Sequence, residues 1–213
     1  MVLSKGKGIP PNNKSALTSI ITLYQANLEI FKLFYENEFD QKPTKSKLDK
    51  FLKYRPSDEV LLKFMNFCLA YWKSFSKELK SIAKYLNIEN SPASEYRGKP
   101  FGGNLLFRPV GFLPFVKASI VIHKRKDIAF NTIFKKMDKL NLDINSVPWH
   151  NILWNEVENK MIMNSSTVTQ LLLQYMFDNN ILTESELKKL KQGYASKTSY
   201  QGDNIENVLD GIN

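Results

Sequence analysis

The side chains in this sequence best suited to chemistry are cationic rather than nucleophilic. Eight stand out: Lys5 and Lys7 near the N-terminus, Arg97 and Lys99 in a Gly/Pro-rich stretch, Arg108, and the run Lys124, Arg125 and Lys126 after His123. Cations on glycine-rich segments contact phosphates well, with backbone amides helping. The chemistry they point to is polyanion binding, and nucleic acid is the commonest polyanion. If roughly six to eight of them engage phosphates, affinity falls by orders of magnitude over a fourfold rise in salt. Each also reads as ordinary solvated charge. Arg108 has a reading of its own, a buried pair with Asp58 or Glu59 that holds its segment against the preceding helix.

Catalytic types are sparse. His123 and His150 are too far apart in sequence for metal-ligand spacing, and Cys68 is the single cysteine. A tetrahedral zinc site needs more ligands than these readily supply. Cys68 falls in the apolar register of a helix, where a thiol is buried and inert. Gly6-Lys-Gly8 and Gly102-Gly103 are short signals for phosphate approach, with no complete Gly-rich nucleotide motif around them. Asp143 with Glu158-Asn-Lys160 matches the Asp…Glu-x-Lys pattern of metal-dependent nucleases, in which two carboxylates and a lysine hold Mg²⁺ and activate water. That pattern arises readily by chance in a chain this charged. Asp58 and Glu59 are adjacent and are better explained as first-turn acids of a helix. The expectation leans to a non-enzymatic protein without cofactor or metal, with a metal-dependent nuclease built on Asp143, Glu158 and Lys160 as the remote alternative.

The charge is unevenly placed. The 213 residues carry a formal net charge of +9. Residues 1–130 hold 22 Lys+Arg against 11 Asp+Glu, whereas residues 131–213 hold 8 against 10. Such asymmetry points to a polyanion partner. A lysine-rich solubility coat, in a chain also rich in Asn and Ile, fits the same numbers. No run of 18 apolar residues exists to span a membrane, and no apolar segment follows the basic N-terminus as in a signal peptide. The expected location is cytoplasmic, with no membrane partner. The oligomeric state is left open.

The positioning elements follow from periodicity. Residues 1–14 read as a flexible basic arm, and 15–194 as a helical domain. Leu17, Ile20, Ile21, Tyr24, Leu28, Phe31 and Phe34 recur at three and four, predicting an amphipathic helix from Ser15 to about Phe39. Residues 40–56 read as a polar connection. Pro56, the potential cap Ser57 and the acids Asp58 and Glu59 start a second helix that runs to about Leu86. Residues 87–104 read as a loop. The segment 105–122 should cross the core, with Pro114 imposing a kink or a late start. Asp127 caps a short helix to about Leu140, and residues 151–163 form a small hairpin. Helices from Asn164 or Ser165 to Phe177, and from the capping box Thr183…Glu186 to Tyr194, complete the set. Residues 195–213 read as a loose polar tail. The fold class is mainly α, a single multi-helix domain of about six helices and one hairpin.

Three stretches together resemble the C-terminal half of DGQHR-domain proteins, the group that includes the DNA sulfur modification protein DndB. They are Gly6-Lys-Gly-Ile-Pro10 followed by Leu17–Tyr24; Arg55-Pro-Ser-Asp-Glu59 leading into Phe67…Tyr71-Trp72, with Gly103-Asn-Leu-Leu-Phe-Arg-Pro-Val-Gly111; and Pro148-Trp149…Ile152-Leu-Trp154…Lys160-Met-Ile162 before the helix Thr169–Met176. The resemblance covers roughly residues 5–178. It implies an association with DNA modification (phosphorothioation-like) and phage defence, and regulation, including of transcription, by DNA binding. The motif Asp-Gly-Gln-His-Arg is absent from this sequence, as is the mixed α/β, ParB-like region that carries it. The expectation is therefore a C-terminal helical part alone, binding DNA directly or partnering a ParB-like or DGQHR chain.

Overall fold

The computed structural model describes residues 2–5, 8–87, 92–98, 103–202 and 204–212, with every side chain among them except that of Leu52. The chain begins with β1 (Val2–Ser4), which pairs in parallel with β2 (Ala16–Ser19). The first segment is thus tied down rather than a free arm. All four residues of β2 are buried, so this stretch lacks the one-sided pattern of a helix. Helix α1 (Ile20–Phe39) starts only at Ser19, whose hydroxyl accepts from the Thr22 amide at 3.1 Å.

Nine α-helices are present among the described residues, three more than periodicity suggested. The first addition is α2 (Lys45–Lys53), inside the supposed connection. Thr44 caps it, accepting from the Lys47 amide at 3.3 Å. The second arises because the long helix is broken into α3 (Asp58–Glu78) and α4 (Lys80–Asn87) at the buried, extended Leu79. No proline or glycine marks that break. Its cause is remote: the Lys80 amide donates to the Asp138 carboxylate at 2.8 Å, so a side chain distant in sequence caps α4. The third addition is α5 (Ala93–Arg97), in the supposed loop.

A 3-10 turn at Leu105–Phe107, fully buried, leads into α6 (Pro109–Lys126). Pro109 sits in the first turn, where its missing amide costs nothing. Pro114 lies within the helix, which starts at Pro109 and not late. Gly111 allows the close approach of the preceding turn, since a Cβ there would lie 2.6 Å from the Leu105 side chain. Helix α6 is the central element, with Phe112, Phe115, Val116, Ala118 and Ile122 buried. Its widest contacts are with α1 and α8 (Ser166–Phe177). Helices α1 and α3 lie side by side, Asn27 accepting from the Trp72 indole at 2.8 Å. In the core, the Tyr71 and Ser119 hydroxyls share a 2.9 Å hydrogen bond, and burial pushes the Tyr71 hydroxyl well above its ordinary pKa.

Helix α7 (Phe130–Met137) is shorter than expected, because Asp127 closes α6 in a left-handed conformation rather than opening α7. The expected hairpin is present as β3 (Trp154–Asn155) antiparallel to β4 (Lys160–Met161). Helix α9 (Glu184–Thr198) carries the full capping box of Thr183 and Glu186. The C-terminal segment is not loose throughout. Val208, Leu209 and Ile212 are buried in the main core, and Glu206 pairs with Lys191 of α9 at 2.5 Å. No described helix is long and apolar enough to cross a membrane.

Candidate nucleic-acid interface

Of the sequence-predicted cations among the described residues, Arg97, Arg108 and the run 124–126 are taken up within the fold. Lys7 and Lys99 lie outside the described residues, and Lys5 is exposed. Arg97 is only 8% exposed. Its guanidinium donates to the Ala16 carbonyl at 2.6 Å and the Asn13 carbonyl at 2.5 Å, bracing β2 and the turn before it. Arg108 in turn donates to the Arg97 carbonyl at 2.8 Å. Burial lowers the pKa of both, that of Arg108 to about 10 with the neighbouring Arg97 charge adding to the effect. These arginines are braces between segments. The alternative partners foreseen for Arg108 are engaged elsewhere, Asp58 with Arg55 at 2.6 Å and Glu59 with Lys63 at 3.2 Å.

The run at the end of α6 is equally engaged. Lys124 pairs with Glu36 of α1. Lys126 pairs with Asp178 at 2.5 Å. Arg125 makes a two-pronged pair with Glu186 at 2.7 and 2.8 Å and donates to the Ile181 carbonyl at 2.9 Å. These bonds raise the Arg125 pKa and hold Glu186 down to about 2. The His123 imidazole hydrogen-bonds the Ile128 carbonyl at 2.8 Å and stacks on Phe130. Four basic side chains in the last turn also complement the helix dipole.

Open positive charge clusters on α2 and its approach, besides lysines scattered on other elements such as Lys73, Lys84 and Lys188. Lys42, Lys45, Lys50 and Lys53 are exposed and make no ion pair with the described residues. Lys47 meets only the neutral Gln41 side chain. At 100° per residue, Lys45, Lys50 and Lys53 fall within an arc of about 140° on the helix. Leu48 and Phe51 occupy the other side and dock into a satellite aromatic cluster with Phe31, Phe34, Tyr35, Phe64 and Phe67. The Phe31 and Phe51 rings are 4.3 Å apart, and Phe31 meets Phe64 edge-on at 5.1 Å. The signal in the sequence was the cap Thr44 followed by Leu48 and Phe51, an apolar pair three apart amid lysines.

The remaining motifs are put to structural use. Gly103, at φ +84°, packs against the α5 backbone, where a Cβ would lie 2.3 Å from Arg97 and Tyr96 atoms; its carbonyl accepts from Ile144 at 3.0 Å. It thus serves α5 rather than a phosphate, while Gly6 and Gly102 lie outside the described residues. The Asp143 carboxylate accepts from the Asn145 amide and side chain at 3.1 and 2.8 Å. Glu158 pairs with Lys160 at 2.9 Å and accepts from Asn155. No three His, Cys, Asp or Glu side chains among the described residues gather to hold a metal ion. Cys68 is half-buried, and desolvation pushes its thiol pKa up, away from the reactive range.

No family model, curated protein or solved structure matches the chain significantly.

Proposed function

We propose that this chain is a non-enzymatic DNA-binding protein that contacts the phosphate backbone through the lysine face of α2. The observation that carries the reading is the contrast in charge partnering: the α2 lysines stand open, whereas the α6 cations are neutralised within the fold. Open cations bind polyanions by releasing condensed counterions; pairs already made with carboxylates release none. The DNA-modification or phage-defence setting rests on the resemblance to DGQHR-domain proteins, and in that setting the chain acts as an accessory or regulatory component.

Fluorescence polarisation with a duplex at two salt concentrations tests the reading. With four phosphate contacts, from Lys42, Lys45, Lys50 and Lys53, a fourfold rise in salt lowers affinity on the order of a hundredfold. Absence of binding at low salt overturns direct DNA contact.

A further inference from the structure

Helix α3 carries a second apolar stripe that the core does not use. Phe64, Phe67, Tyr71 and Phe75 face inward. On another side, Leu62, Met65 and Leu69 are 55%, 49% and 47% exposed. Their spacing of three and four is that of a coiled-coil seam. Singly exposed apolar side chains need no explanation, but three in heptad register on one long helix form a continuous strip.

The charges at the two ends of the strip differ in sign. Beyond the two ends of the strip, Asp58 lies four residues before Leu62 and Lys73 four residues after Leu69, each about one turn away. The Asp58 side chain is 85% exposed, with Arg55 on one oxygen. Lys73 is exposed and makes no ion pair with the described residues.

We propose that this strip is the interface of a homodimer in which α3 pairs antiparallel with α3 of a second copy. A two-fold axis between Met65 and Asn66 sets Leu62 of one protomer against Leu69 of the other, and Met65 beside Asn66. The same axis sets Asp58 against Lys73, twice by symmetry. One register thus satisfies both the apolar and the charged positions, as a self-complementary two-fold contact requires. Parallel pairing fails the charge test, because it places the Asp58 and Glu59 carboxylates of both protomers together and the lysines together. The strip's own polarity therefore selects a second copy in reverse orientation. This inference stands independently of DNA binding by α2.

Sedimentation equilibrium of the purified chain tests it, with circular dichroism confirming that each variant remains folded. The wild type sediments as a dimer. Met65→Glu, which places two carboxylates at the centre of the seam, gives a monomer. Asp58→Lys and Lys73→Asp each weaken the dimer about tenfold, since each turns two attractions into repulsions. The combined Asp58→Lys/Lys73→Asp variant restores wild-type affinity, an outcome that a non-specific apolar contact would not produce. A monomeric wild type at about 100 μM, a dimer indifferent to Met65→Glu, or a double variant no tighter than the singles overturns the proposal. So does a monomer that forms a complex through this strip with a different protein.

Discussion

Two lysine-rich regions of similar composition have opposite fates in this fold. At the end of α6, Lys124, Arg125 and Lys126 reach Glu36, Glu186 and Asp178, which come from α1, α9 and the end of α8. On α2, the lysines reach no carboxylate among the described residues. The difference lies in position. Helix α6 is central and its end is ringed by other elements, so its cations find acids there. Helix α2 is peripheral, held among its described side chains by Leu48 and Phe51, and its lysines face outward. Charge count therefore does not show which cations are open to solvent; the count left over after internal pairing does.

Three perturbations break or sharpen this contrast. The largest effect is expected from Phe31→Ala, which empties the aromatic cluster under α2. Truncating a buried phenylalanine costs about 3–5 kcal/mol. Urea denaturation should show that loss, and duplex affinity should fall with it because α2 loses its seat.

Next is Arg125→Ala. It removes a two-pronged pair and a bond to the Ile181 carbonyl, for an expected loss of about 1–2 kcal/mol, with duplex affinity unchanged within about twofold. The same pair gives a pH signature. Glu186 has a lowered pKa in the folded state, so its contribution is complete above its ordinary value of 4.5. That contribution is lost as pH falls from there toward about 2. Stability measured through this window should decline less in Glu186→Gln than in the wild type.

The smallest change in stability is expected from Lys45→Ala/Lys50→Ala/Lys53→Ala, within about 0.5 kcal/mol because the positions are exposed. Duplex affinity should nonetheless fall more than tenfold and its salt dependence should flatten by about three contacts' worth. If instead Arg125→Ala reduced binding and the triple variant did not, the contrast would be reversed.

Some local signals in the sequence match the fold and some do not: Asp127 closes α6 and does not open α7. Ser57 caps α3 and accepts from Val60, and Thr183 with Glu186 forms the expected box. The hairpin and the helical class follow equally from short-range pattern. What else escaped is largely long-range. Arg97 and Arg108 bond backbone carbonyls of segments that only the fold brings near, and their sequence context gives no sign of it. The partners of Lys124, Arg125 and Lys126 are likewise distant. Val208, Leu209 and Ile212 were visible as apolar residues in a polar tail, yet their docking depends on a core built from other elements. The α2 cap and its two apolar residues were legible, but four lysines around them masked the helix.

The cap on α4 ties two distant parts of the chain together. Asp138 follows α7 directly, and its carboxylate holds the first amide of α4. The start of α4 is therefore satisfied from nearly sixty residues away and not by a neighbouring side chain. A change at residue 138 is felt at the junction of α3 and α4, which no local pattern around Leu79 would suggest.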